Sequence, residues 1–240
     1  MIEHHPFTGL KPLKTDKRGR VRFLSAEDEE RLRAALIERE TELRAQRDRF
    51  NHWRAVRHKT TFPVRDQYFV DYIRPIVLLA MNTGMRRAEI LGLRWVDVDL
   101  NARLLTVTGA VSKNRQSRHI PLNVEAKEVL TRWKAQRAPS RSDEVVFGGH
   151  KGEKMLRIDK AWAALREVAD LPGWRLHDLR HHFASRLVQE GTDLNVVREL
   201  LGHADITMVL RYAHLDPTNL AVAVERVART ATTASRGVRA

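Results

Sequence analysis

The chain has 240 residues, 42% of them apolar, enough to fill the core of one large or two small domains. Its 43 Lys and Arg stand against 30 Asp and Glu, and the formal net charge of +13 suggests a polyanionic partner rather than a membrane surface. The lack of cysteine excludes disulfides and thiolate metal sites, the apolar run 76–81 is far too short to span a bilayer, and the opening residues do not resemble a secretory signal.

Residues 1–22 are basic and broken by Pro6, Gly9, Pro12 and Gly19, which reads as a linker or arm. Ser25 with Asp28 three residues on predicts a capped helix start, and Glu27, Glu29 and Glu30 suit the positive end of a helix dipole. Leu32, Ala35, Leu36 and Leu43 follow at helical spacing, and the charge-dense stretch after them predicts an extended helical insertion over about 38–68, read as a solvated face. Residues 72–82 predict a buried helix with Pro75 in its first turn, closed by Gly84, and another helix starts near Ala88.

Residues 104–108 and 118–122 flank a basic turn and predict a β-hairpin, with 145–147 as a third strand completing a small sheet. Helical periodicity returns over 124–136 and 158–169, then over 178–190 up to Gly191 and 194–201 up to Gly202. Asp216-Pro217 sets off a last helix near 219–229. The predicted fold class is mainly α with a small antiparallel β-sheet (α+β).

Five clusters carry the chemistry. Thr83-Gly84-Met85-Arg86-Arg87-Ala88-Glu89 puts arginines just past a helix stop, where main-chain donors already favour a phosphate and a guanidinium adds bidentate contacts. Lys113, Arg115 and Arg118 sit in and beside the hairpin turn; each is a candidate phosphate contact, but only the lysine can give up a proton. His177-Asp178-Leu179-Arg180 spaces a histidine and an arginine to converge on one ligand. His181 lies four residues after His177, as in helical metal pairs, yet Asp178 occupies the place where the zinc-peptidase motif needs glutamate, and no third ligand follows at a recognisable spacing. His203, in Leu-Leu-Gly-His, precedes Tyr212 by nine residues.

Taken in order, these clusters resemble the catalytic domain of the tyrosine recombinases, the phage-integrase family, over about 22–215. The family pattern selects Arg86 over Arg87, and it implies a catalytic set of Arg86, Lys113, His177, Arg180, His203 and the nucleophile Tyr212. The resemblance implies that Tyr212 attacks a DNA phosphate to form a 3′-phosphotyrosyl link and release a 5′-hydroxyl. Arg86 and Arg180 would neutralise the transition state, and His177 would take the tyrosine proton or hydrogen-bond the phosphate. Lys113 would protonate the leaving oxygen, and His203 would donate to a non-bridging oxygen.

Arg115 and Arg118 would contact DNA, with Glu89 and Asp178 as structural support and Glu89 pairing a guanidinium. No metal, ATP or other cofactor is implied. The expected partners are double-stranded attachment sites, a homotetramer on DNA, and accessory bending or excision proteins. The expected location is the bacterial cytoplasm and nucleoid.

Family members carry a core-binding domain ahead of the catalytic one, whereas here the pattern starts almost at once. The chain therefore reads as a catalytic domain over 23–215, with residues 216–240 as a segment that docks on a neighbouring subunit. A regulator without chemistry and a topoisomerase-like nicking enzyme are the rival readings.

Overall fold

A computed structural model describes residues 21–109, 117–149, 157–216 and 224. The basic arm up to residue 20, the hairpin turn with Lys113 and Arg115, and the last predicted helix apart from Val224 lie outside the described residues.

Helix α1 (Ala26–Ala55) opens with the expected capping box: Ser25 Oγ accepts from the Asp28 N–H at 3.0 Å, and Asp28 accepts from the Ser25 N–H at 3.2 Å. Leu32, Ala35, Leu36 and Glu40 are its buried residues, so the last 15 residues of this 30-residue helix bury none. The predicted insertion is thus the continuation of α1 followed by an irregular return. Asn51 ties the two by accepting from the Phe62 N–H and donating to its carbonyl, at 2.9 and 2.8 Å. The buried Glu40 carboxylate anchors the base, pairing with Arg74 at 2.8 Å and accepting from the Val70 N–H.

Helix α2 (Ile73–Thr83) is buried on nearly every side, from Ile73 and Pro75 through Met81 and Thr83, as its continuous apolar text requires. It packs on α4 (Val124–Arg137) and α6 (Asp178–Gln189) and forms the axis of the main core. Gly84 ends it with φ +59°, and a short helix, α3 (Arg87–Gly92), follows.

The sheet is antiparallel in the order β1 (Val98–Asp99), β2 (Leu104–Val107), β3 (Arg118–Pro121). Here the structure corrects the sequence: 145–147 is not the third strand. Val145 makes one isolated bridge to Arg94, and Val146 and Phe147 are fully buried core residues. A short bend through Trp95 returns the chain directly onto β2, so β1 takes the open edge first.

Helix α5 (Asp159–Val168) lies against α1, whereas α6 and α7 (Leu194–Leu201) build a second cluster from Ala184, Val188, Val197, Leu201, Val209 and Tyr212. The tyrosine segment is two short 3-10 turns, Ile206–Met208 and Leu210–Leu215. Among the described residues no helix is long and apolar enough to cross a membrane.

Gly84 joins the two clusters. A Cβ there would lie 2.5 Å from Phe183 and 2.9 Å from Leu201, in a left-handed conformation that L side chains resist. Gly84→Ala should therefore lower stability by about 2–3 kcal/mol in urea denaturation. An unchanged midpoint would show that α6 and α7 yield freely at this contact.

Candidate active site

The site is assembled where α2 ends, α3 and α6 begin, and α7 stops. Arg86 is the N-cap residue of α3, and the Glu89 carboxylate folds back on it, accepting from the Arg86 N–H at 2.8 Å and from its guanidinium at 2.8 Å. Arg118, from β3, reaches the same fully buried carboxylate with two bonds of 3.1 and 2.7 Å and donates through Nε to the Leu200 carbonyl at 2.9 Å. Burial alone would raise the Glu89 carboxyl, but the Arg118 hydrogen bonds and charge, helped by Arg86, hold it below the usual carboxylate range.

Arg118 therefore corrects a sequence expectation. Read as a DNA contact, it is instead a nearly buried brace, its side chain 9% exposed and committed to Glu89 and to the end of α7. Gly202 is required by the same brace, because a Cβ there would lie 2.8 Å from Arg118.

Arg180 points inward from α6 and donates to the Gly84 carbonyl at 2.8 Å and the Leu201 carbonyl at 2.5 Å. Burial and the neighbouring Arg86 charge bring its guanidinium down to about 9, which leaves it charged at neutral pH. Two guanidiniums thus pair with one carboxylate while the charge of a third, Arg180, acts on them, leaving a positive surplus that a phosphate would neutralise.

His177 is the residue ahead of α6 and faces solvent. Buried Asp178 fixes that turn by accepting from the Arg175 N–H at 2.9 Å and pairing with its guanidinium at 3.0 Å. Desolvation and the Arg180 charge hold His177 below its ordinary range. His203, next to the C-cap Gly202, is 8% exposed, and its Nδ1 has no protein partner. Burial and the charges of Arg180, Arg86 and Arg118 push it down to about 3, so it is neutral here.

Tyr212 is 1% exposed, and its hydroxyl lies 2.5 Å from His181 Nδ1. The His181 ring packs edge-to-face on His177, with centroids 5.4 Å apart. Burial pushes the Tyr212 phenol up to about 12, against the pull of Arg211 and Arg180, and drives His181 down to about 4. A neutral phenol thus shares a hydrogen bond with a neutral imidazole. His181 is the site residue that sequence reasoning missed: its spacing from His177 drew attention to a metal pair, and no local signal brings it to a tyrosine 31 residues away.

Among the described residues no group of three or more His, Cys, Asp or Glu side chains is arranged to hold a metal ion. Lys113 and Arg115 lie outside the described residues. The base of their hairpin is closed by the Val107–Arg118 pair and by the Gly109 N–H donating to Ser117 Oγ at 3.0 Å, and Arg118 places that base beside Glu89.

The family model described as the phage integrase family matches residues 54–219. The chain belongs to the phage integrase family. It is 34% identical over 170 residues to the tyrosine recombinase XerC of Azotobacter vinelandii, covering 68% of this chain and 54% of that protein. XerC of Xylella fastidiosa is 36% identical over 147 residues, covering 60% of this chain and 48% of that protein. The chain thus spans about half the length of the curated relatives it matches.

Its fold is that of the catalytic domain of bacteriophage HP1 integrase, with a TM-score of 0.56 and 24% identity over 85% of this chain and 94% of that one. XerH recombinase, in a post-cleavage complex with a palindromic difH substrate, gives a TM-score of 0.60 at 22% identity, covering 89% of this chain and 53% of that one.

The depressed imidazoles predict acid lability. Unfolded chains protonate these histidines below about pH 6.5, whereas the folded chain holds His181 and His203 neutral to about 4 and about 3. Their contribution to stability is complete above pH 6.5 and is lost as pH falls towards 3. His203→Gln should flatten the fall in urea midpoint across that window; an unchanged slope would show that His203 does not carry it. In alkaline titration followed in the ultraviolet, one phenol should ionise near 12, and that step should be missing from Tyr212→Phe.

Proposed function

We propose that the protein is the catalytic portion of a site-specific DNA recombinase, cleaving and rejoining strands through a 3′-phosphotyrosyl intermediate to integrate or excise a mobile element. The observation that carries this reading is the pairing of Arg86 and Arg118 with one buried carboxylate, beside the buried Arg180 whose charge acts on both Arg86 and Tyr212.

The chemistry follows from the side chains. The Tyr212 oxygen attacks phosphorus, and the bond to the 5′-oxygen breaks. The bond energy stays in the phosphotyrosyl ester, so a 5′-hydroxyl from another strand reverses the step without ATP. Arg86 and Arg180 neutralise the pentavalent oxygens, work done elsewhere by divalent cations.

The phenol proton has His181 as its immediate acceptor, with His177 at the edge of the ring pair. His203 donates to a non-bridging oxygen, and Lys113 protonates the departing oxygen. A phenol at about 12 is a weak nucleophile at neutral pH. Catalysis therefore requires the phosphate to enter and shift the balance between Tyr212 and its imidazole acceptor.

The partners follow from the same chemistry: double-stranded attachment sites, further copies of the chain assembled on DNA as a tetramer, and accessory proteins that bend or release the site. The protein would act where that DNA is, in the bacterial cytoplasm and nucleoid. A purely DNA-binding role is disfavoured, because no residue type of the proposed catalytic set is replaced in the sequence, and the charges of Arg180 and Arg86 act on both His177 and His203.

With a nicked suicide duplex, the wild-type chain should form a covalent adduct on a denaturing gel, unchanged by excess EDTA. Tyr212→Phe should form none while binding DNA as before. An adduct persisting in that variant, or mapping to Tyr68 or Tyr72, would remove the central claim. Arg86→Ala should lower the rate of adduct formation by about 10²–10³-fold with a smaller change in affinity; equal loss in both would make Arg86 a binding residue only.

A further inference from the structure

Arg86 and His177 of the candidate site also line a surface cleft of about 650 Å³, which they share with Arg87, Arg166 and Arg175. Its floor is built from two buried indoles, with Trp162 Nε1 donating to the Trp174 carbonyl at 3.0 Å. Arg166 is fixed to that same carbonyl at 3.2 Å. The cleft is therefore a rigid trough with a cationic rim rather than a loose surface depression.

The rim arginines have donors to spare. Arg87 uses Nη1 on Asp159 at 2.7 Å, with its side chain 49% exposed. Arg175 uses Nε and Nη2 on Asp178, with its side chain 74% exposed. A guanidinium carries five N–H donors in a planar fork, so both retain unsatisfied N–H groups facing solvent. Among the described residues Asp159 is the one carboxylate in the lining, and the buried Asp178 is paired with Arg175.

We propose that this cleft is a phosphate subsite. Resting on the recombinase reading above, it holds the phosphodiester next to the scissile one on the cleaved strand, with Arg87 exchanging Asp159 for a phosphate oxygen and Arg166 and Arg175 flanking it. Charge and spacing both support this occupant. Phosphates recur every ~3.4 Å of helix axis along one strand, so a strand whose scissile phosphate sits at Arg86 carries its next charge a short step away. Arg86 lines the cleft together with three further guanidiniums, those of Arg87, Arg166 and Arg175. The sequence motif leaves Arg87 without a role, and here it acquires one as the register contact that fixes which phosphate reaches Tyr212.

The test is a coupling experiment on the whole chain with duplexes bearing a single neutral methylphosphonate at each position around the cleavage point. In the wild-type chain, neutralising a phosphate adjacent to the scissile one should weaken binding about tenfold, and more distant positions should matter less. Arg87→Gln should lose about the same affinity on unmodified DNA and become insensitive to that one methylphosphonate. Asp159→Asn should bind more tightly than wild type, because it removes the competing carboxylate.

Penalties that are equal in Arg87→Gln and wild type at every position would overturn the subsite, as would a loss independent of position, which denotes bulk charge alone. Covalent adduct is read on the same samples. Wild-type adduct without coupling defeats only the subsite; no wild-type adduct on any duplex defeats the recombinase reading itself.

Discussion

Glu89 is the point on which the site depends. It is fully buried and would be costly to ionise alone, yet Arg86 and Arg118 close on both its oxygens and keep it charged. Through this carboxylate the start of α3 is bonded to β3, and Arg118 carries the connection on to the last turn of α7. Removing one partner from such a buried pair leaves an uncompensated charge, a loss of about 3–5 kcal/mol in comparable cases. The constraint therefore acts on fold and chemistry together.

Arg180 performs the complementary task from the other side. Its two bonds go to the carbonyls of Gly84 and Leu201, each at the end of a helix, where main-chain oxygens lack helical partners. The guanidinium satisfies those oxygens and is in turn held close to Arg86. Three cations around one anion would repel one another in an empty site. The burial of Arg180 and the bracing of Arg118 hold the arrangement through protein contacts alone, as the proposed electrostatic catalysis would require.

Tyr212 shows how core packing and reactivity compete at one residue. It belongs to the second hydrophobic cluster, alongside Val188, Val197 and Val209, and its hydroxyl finds one polar partner in His181. Burial that stabilises the fold also favours the neutral phenol, and the same burial keeps His181 and His203 uncharged. The low-dielectric surroundings thus set the resting protonation of the centre: charged arginines, neutral imidazoles and a neutral phenol.

Much of this could be read from the sequence, because it is governed by local rules. The Ser25–Asp28 cap, the uniformly apolar α2, its glycine stop and the two strands of the hairpin follow from spacing and composition within a few residues. Arg86, His177, Arg180, His203 and Tyr212 could be singled out from the sequence because each lies in a short pattern of distinctive residues.

Tertiary structure decided what depends on distant partners. An apolar triplet at 145–147 looks like a strand from its own residues, but Val98 and Asp99 pair with β2 and 146–147 go to the core. Arg118 looks like any hairpin arginine until Glu89, 29 residues away, is seen to claim it. His181 takes its meaning only from Tyr212, and Arg87 only from the cleft it rims. Charge type is written in the chain; whether a charge faces solvent, a carboxylate or a phosphate is settled by which segments fold against it.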